Sequence, residues 1–371
     1  MNLAFSEEQE ELRRSLRRFL EERSPSSEVR RLMETTEGYD PAVWAQMAGQ
    51  LGLQSLGIPE EYGGSGFGAV ELAAVMEEMG RALLCAPYLS SAVIAASCLL
   101  ACADEGAKAD LLPAIASGDV IASLALCEGS ASWDPGATRL PASREGGGWS
   151  LTGVKQYVLD GHVAQHLLVP ARTDGGVALF CVDGDAAGVT RTPLPTLDQT
   201  RKLARVELEG ARARLLGADR GAEAGLAEAL ARSAIALAAE QVGGAQRCLE
   251  MSVEHAKTRV QFGRPIGSFQ AVKHRCADML VEVESARSAA YYGAWVAAEA
   301  APELAAVASL AKATCSEAFF RCAADSIQIH GGIGFTWEHD AHLYFKRAKA
   351  DELLLGDPAY HRELLARRIG L

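Results

Sequence analysis

Aromatic residues are scarce in this 371-residue chain, at 6% against 49% hydrophobic residues overall. Ala and Leu carry most of the apolar content, a balance that excludes an aromatic-rich β-sandwich as the main architecture and favours packed helices. Surplus positive charge is missing as well. The formal net charge of −12 excludes general nucleic-acid binding, because a protein that tracks phosphates needs a basic surface to release counterions. Any polyanionic ligand must therefore find a local basic pocket, and Arg259, Arg264, Lys273, His274 and Arg275 form the densest cluster. The nine cysteines include no Cys-x-x-Cys pair, in a chain far larger than those that need disulfide staples, so they read as small buried hydrophobes in a reducing compartment. The start, Met1-Asn-Leu-Ala-Phe-Ser-Glu-Glu-Gln-Glu10, has neither the basic opening nor the apolar run of a signal peptide, and no run of eighteen apolar residues is free of charge. A soluble cytoplasmic protein, with no membrane or nucleic-acid partner, is expected.

Periodicity defines three regions. Ser6 with Gln9 is a capping box, and Leu12, Leu16, Phe19 and Leu20 follow at helical spacing. A second amphipathic segment runs from Pro41 to Leu53, and the turn Pro59-Glu-Glu-Tyr-Gly-Gly-Ser-Gly66 precedes a helix starting near Ala69. Gly64 to Ala69 formally matches a G-x-G-x-x-A dinucleotide fingerprint, but no buried strand precedes it, which removes the context that motif needs. From Gly118 to about Leu208 the pattern changes to short alternating runs, including Trp149-Ser-Leu-Thr, Val154-Lys-Gln-Tyr-Val158 and Val177-Ala-Leu-Phe-Cys-Val182. Long helical segments then follow at 222–259, 269–298 and 302–329, with a shorter one after Pro358. The expected architecture is mainly α with an inserted β domain: an N-terminal helical domain (1–117), a middle β-barrel or sandwich domain (118–212) and a C-terminal four-helix bundle (213–371).

Four phrases occur in a telling order: Pro59-Glu-Glu-Tyr-Gly-Gly64, Leu151-Thr-Gly-Val-Lys155, Asp198-Gln-Thr-Arg201, and Arg259-Val-Gln-Phe-Gly-Arg-Pro-Ile-Gly-Ser-Phe-Gln270 followed by Gln328-Ile-His-Gly-Gly332. With this order and spacing the chain resembles the acyl-CoA dehydrogenase family over essentially its whole length. The resemblance implies FAD bound at a subunit interface, with Arg259, Phe262, Gln270, Gln328, Gly331 and Gly332 on the pyrophosphate and adenosine side. Those residue types suit the task, since a guanidinium offers paired donors to phosphate and adjacent glycines let the backbone approach a ligand.

The other half of the family's site departs from the pattern. Where a flavin-contacting Thr is expected the chain has Ala125-Leu-Cys-Glu-Gly129, with Cys127 at that place. Where an aromatic and a hydroxyl residue meet the flavin ring it has Tyr157-Val158-Leu159. The two places used in the family for the general base hold Leu355 and Ser233, neither of which can abstract an α-proton. Glu240, two helical turns beyond Ser233, is the remaining acid to weigh as a base, against a reading in which it pairs with an arginine. Glu338-His339-Asp340-Ala-His342 reads as structural rather than as a metal site, and Cys127 has no His in a matching motif.

The resemblance extends to a subunit of the actinobacterial α2β2 dehydrogenases that act on steroid side-chain CoA esters. It implies a homologous partner subunit that supplies the base and the flavin-ring contacts, an acyl-CoA substrate and an electron-transferring flavoprotein as acceptor. The alternatives are a homotetramer using Glu240 and a non-catalytic scaffolding subunit.

Overall fold

A computed structural model describes residues 6–371. The first five residues, part of the stretch read above for a leader, lie outside the described residues. Packing divides the chain into two units: one takes the chain up to Arg30, Ala69–Leu84 and Ala234–Leu371, and the other Arg31–Gly68 and Cys85–Ser233.

The second unit is built on a seven-stranded sheet. Its strands are β1 (Ala122–Leu124), β2 (Ala142–Glu145), β3 (Gly148–Leu159), β4 (His166–Thr173), β5 (Gly176–Asp183), β6 (Val189–Leu194) and β7 (Leu203–Leu216). They run in the order β1-β4-β5-β7-β3-β2, with β6 also pairing β7, and all pairs are antiparallel except β1 with β4. The central strands β4 and β5 are buried on both faces, which is why Leu167–Ala171 and Val177–Val182 read as near-continuous apolar runs. Two runs that look separate in the sequence, Trp149–Thr152 and Val154–Val158, form the single strand β3. Its register against β7 shifts between Lys155 and Val158, and Tyr157 sits there at φ 55°. Such a bulge re-aims side chains. Tyr157 is left exposed while Val158 and Leu159 are buried. A π-helical segment, Tyr88–Ala95, is buried throughout and tied to the strands: Ser90 Oγ donates to Asp160 Oδ2 (2.6 Å) and Ser91 Oγ accepts from the Ala122 N–H (3.0 Å).

The first unit is helical. The helix α1 (Glu7–Arg23) opens with the expected capping box, in which Ser6 and Gln9 satisfy each other's backbone N–H groups. It packs on α4 (Ala69–Arg81); between them in sequence come α2 (Ser26–Met33), which runs into the other unit, and α3 (Pro41–Gly49), which belongs to it. No strand among the described residues precedes Gly64–Ala69, so the dinucleotide fingerprint there has no structural counterpart. After α5 (Ala96–Leu100) and α6 (Glu105–Ala116) in the other unit, the long helices follow: α7 (Ala222–Thr258), which enters this unit at Ala234, α8 (Gln270–Ala298) and α9 (Leu304–His330). Two shorter helices, α10 (Ala341–Leu353) and α11 (Pro358–Arg368), both pack on α9. No helix among the described residues is long and apolar enough to cross a membrane.

Glycine permits one close approach that the helices could not otherwise make. Gly80 on α4 lies against the Glu240 carbonyl and Gly243 on α7 against the Glu77 carbonyl, with no room for a Cβ at either place. Around this crossing Glu77 and Glu78 are buried and held by Arg13, Arg17 and Arg287, with the Tyr291 hydroxyl donating to Glu77 (2.5 Å).

Candidate functional site

The residues expected on the adenosine side lie on three neighbouring features of the helical unit. Arg259 directly follows α7 and opens a small hairpin, β8 (Val260–Gln261) with β9 (Arg264–Pro265), closed by the Ile266 N–H donating to the Arg259 carbonyl (2.8 Å). The two turn residues, Phe262 (φ 53°) and Gly263 (φ 76°), are both left-handed, as a two-residue hairpin of this kind requires. The turn holds the Phe262 ring in the open, 91% exposed, edge-on to Phe269. Arg264 lies over the Phe269 ring, 4.1 Å from its centre. Gln270 begins α8, and Gln328 lies on the last turn of α9; both are exposed. The ends of α7 and α9 are brought side by side by His255 stacking on His330, and α8 is tied to α9 by Arg275 with Asp325 (2.6 Å).

Gly331 ends α9 at φ 65°, ψ −138°, a conformation for which glycine is suited. A Cβ at Gly331 or Gly332 would meet nothing within 4 Å, so the backbone is open to a ligand there. Of the basic cluster, Arg275 is committed to Asp325 and Arg264 to a ring. Arg259, Lys273 and His274 project as exposed cationic or hydrogen-bonding groups. Exposed donors around an open glycine backbone fit a dinucleotide phosphate.

The β-sheet unit brings together the two segments that depart from the family's flavin-ring pattern. The Gln156 N–H donates to the Cys127 carbonyl (2.8 Å), and Ser123 Oγ donates to the Leu159 carbonyl (2.5 Å). Lys155, fully buried, donates to the Leu126 carbonyl (3.2 Å) and pairs with Glu128 (2.8 Å). Glu128 in turn accepts from the Arg139 and Leu140 N–H groups, so this acid is a staple between chain segments. Burial pushes the Cys127 thiol up to about 12, which keeps it protonated and unsuited to nucleophilic work. Where the resemblance expects an aromatic and a hydroxyl, this edge carries Tyr157 and Leu159.

The two places where the family resemblance expects the general base hold Ser233 and Leu355. Ser233 is buried and its hydroxyl bonds back to the Ala229 carbonyl (2.7 Å) within its own helix. Leu355 is buried at φ 62° in the turn between α10 and α11. Acids near that turn are engaged in other ways. Asp357 caps α11 by accepting from the Tyr360 N–H (2.7 Å), Glu352 pairs with Lys349 (2.9 Å), and Asp351 faces Lys312 electrostatically. Glu240 is buried and paired with Arg347 of α10 (2.7 Å), itself almost entirely inaccessible.

Two residues that the sequence reading passed over hold this turn. Lys312 of α9 donates to the Glu352 carbonyl (3.2 Å), the Gly356 carbonyl (3.0 Å) and Ser316 Oγ (2.9 Å), capping the end of α10. Burial lowers its ammonium to about 8. His361 Nε2 donates to the Leu355 carbonyl (3.0 Å) while Nδ1 faces Ser309 Oγ (3.3 Å). The only signal for Lys312 is a lone cation in the apolar run Leu310-Ala-Lys-Ala313.

Burial, reinforced by Lys312, lowers the His361 imidazole to about 4. The unfolded chain takes up this proton near its ordinary value of about 6.5 while the folded chain refuses it, so stability is lost as pH falls from about 6.5 to about 4. His361→Gln, which keeps an N–H donor, is expected to reduce that acid-dependent loss by on the order of 2 kcal/mol in chemical unfolding curves. An unchanged slope would contradict the assignment.

Among the described residues no group of His, Cys, Asp and Glu is arranged to hold a metal ion. In the segment 338–342, Asp340 pairs with Arg30 (2.8 Å) and His342 stacks edge-on against Trp337. The cysteines are all free, seven of nine buried.

The fold defines a class. The acyl-CoA dehydrogenase N-terminal domain profile matches residues 6–119, and the acyl-CoA dehydrogenase C-terminal domain profile matches residues 219–370. The chain belongs to the acyl-CoA dehydrogenase family of FAD-dependent oxidoreductases. It is 38% identical to the acyl-CoA dehydrogenase IpdE2 of Mycobacterium tuberculosis over 365 residues, covering 97% of this chain and 96% of that protein. The acyl-CoA dehydrogenase FadE27 of the same organism is 36% identical, over 88% of this chain and 87% of that protein. Among solved structures, the ChsE4-ChsE5 complex from Mycobacterium tuberculosis superposes with TM-score 0.89 at 32% identity, covering 100% of this chain and 99% of that one. A glycine-to-alanine variant of the Tcur3481-Tcur3483 steroid acyl-CoA dehydrogenase gives TM-score 0.89 at 31% identity over 98% of each chain.

Proposed function

We propose that this chain is one subunit of a heteromeric acyl-CoA dehydrogenase that desaturates an acyl-CoA thioester between Cα and Cβ, with a steroid side-chain CoA ester as substrate. In this reading the three-part organisation 1–117, 118–212 and 213–371 is that of the family. The chain contributes Arg259, Phe262, Gln270, Gln328, Gly331 and Gly332 to the pyrophosphate and adenosine end of FAD. A homologous partner supplies the general base and the contacts to the flavin ring.

The observation that carries the reading is the buried Leu355, with Glu240 committed to Arg347, in the same chain that keeps exposed Arg259 beside the open Gly331-Gly332 backbone. Bound flavin supplies the two-electron acceptor that this chemistry needs. The chain's own residues hold the anionic end: Arg259 by a charge-assisted contact, Gln270 and Gln328 by amide donors and acceptors, and the glycine backbone by its N–H groups. Exposed Val260, Phe262, Ile333, Phe335 and Trp337 flank these groups, and an apolar surface of that kind favours a protein partner. The relatives support heteromeric assembly and a steroid substrate, since ChsE4-ChsE5 is a complex and Tcur3481-Tcur3483 is a steroid acyl-CoA dehydrogenase. A cytoplasmic location and an electron-transferring flavoprotein as acceptor complete the reading.

Arg259→Ala removes one charge-assisted contact to phosphate, and FAD retention by the assembled enzyme is expected to fall about tenfold or more. Flavin content is read by absorbance after dialysis, with assembly checked by mass. Unchanged retention in an intact assembly would remove Arg259 from the site.

A further inference from the structure

Three imidazoles from three elements of the helical unit stack in a row. His255 on α7 lies against His330 at the end of α9, with ring centres 4.4 Å apart, and His330 lies against His339 in the segment leading to α10, at 4.2 Å. Hydrogen bonds fix the protonation of two of them. His330 Nδ1 donates to the Ser326 carbonyl (2.7 Å), so its proton is committed there. His339 Nδ1 receives the backbone N–H of Ala341 (3.1 Å), and because that group can only donate, Nδ1 must be an unprotonated acceptor.

Ala341 is the first residue of α10, whose N-cap residue Asp340 gives no side-chain cap, so His339 satisfies one of the N–H groups that a helix start leaves open. A proton on Nδ1 would abolish that bond and put positive charge at the positive end of a helix dipole.

Burial makes that proton costlier. Arg259 on the α7 side faces His255; Arg30 of α2 faces His339; Arg30 and Lys346 of α10 face His342, which also faces His339. Among the described residues, Asp340 is an acid whose charge favours a proton on His339, and it is paired with Arg30; Glu338 on the same segment is exposed. Burial lowers His330 to about 4 and lowers His255 and His339 as well, and neighbouring imidazoles add to the effect at His330 and His255.

We propose that the His255–His330–His339 row is a pH-operated latch on residues 331–340. With all three rings neutral, the row holds the segment against the ends of α7 and α9 and caps α10. Proton uptake at His339 Nδ1 breaks the cap and sets a cation against the His330 ring, and the segment comes away, taking Gly331 and Gly332 with it. The latch rests on the ring contacts and the Ala341 cap; its consequence, weaker hold on flavin in acid, rests on the dinucleotide reading above.

Hydrogen exchange of the flavin-loaded assembly, followed by mass spectrometry and corrected for intrinsic chemistry, tests both. Between about pH 7.5 and about pH 5 the amides of residues 331–345 are expected to exchange about tenfold or more faster. His339→Asn, whose side-chain oxygen can accept the Ala341 N–H without titrating, is expected to stay flat. A flat wild type, or the same rise in His339→Asn, would overturn the latch. Opening without flavin release would break the coupling while leaving the latch, and the Arg259→Ala result judges the dinucleotide reading separately.

Discussion

Glu240→Gln is expected to destabilise the folded chain by roughly 3–5 kcal/mol, because it removes the negative charge facing a guanidinium that is itself buried. The pair is internal on both sides, so the loss comes chiefly from leaving Arg347 charged in a medium that solvates it poorly. Replacing both residues tests that cause. Glu240→Leu with Arg347→Met removes the charges together, and the double variant should recover most of the stability lost in the single one. The same variant separates the two readings of the chemistry. If a partner supplies the base, turnover per bound flavin in folded Glu240→Gln enzyme stays near the wild-type value. A fall of several orders of magnitude with normal flavin content would make Glu240 the base and the homotetramer the better account.

Gly243→Ala should cost about 3 kcal/mol or more, a large figure for a single methyl group. The added Cβ would sit inside the envelope of the Glu77 carbonyl, with the Arg81 backbone close behind, so neither obstacle is a flexible side-chain tip. Relief requires α4 and α7 to move apart, which would disturb the Glu77 and Glu78 contacts with Arg13, Arg17 and Arg287. Alanine is the better helix former by about 1 kcal/mol, which works against the effect and makes the sign informative. A melting temperature at or above wild type would show that the crossing is looser than its geometry implies.

The long helices were legible because their apolar positions recur at helical spacing, and the start of α1 was legible because a capping box is local chemistry. α10 was not. Its core position is filled by Arg347, so a search for apolar periodicity reads a charged stretch as surface, and only the distant Glu240 explains the burial. Lys155 misleads in the same way: within Val154-Lys-Gln-Tyr-Val158 it reads as an outward polar residue, yet it is buried because Glu128 and the Leu126 carbonyl receive it. The β region also runs past its expected end near Leu208, since β7 continues to Leu216 with Arg212 and Arg214 alternating outward. Of the candidate site, residue types and order were readable. The pairing of Glu240, the clamps on the Leu355 turn by Lys312 and His361, and the histidine row depend on contacts between segments far apart in sequence.

The central claim is that this chain holds half of a flavin site and needs a different subunit for the rest. Its most direct test is the flavin-to-chain ratio together with mass in solution, measured for the chain alone and for the chain co-expressed with an acyl-CoA dehydrogenase homologue encoded beside it. The account predicts a flavin-poor or insoluble chain alone, and a four-chain particle with about two FAD for the pair. A yellow homotetramer of the chain alone, carrying one FAD per subunit, would contradict it.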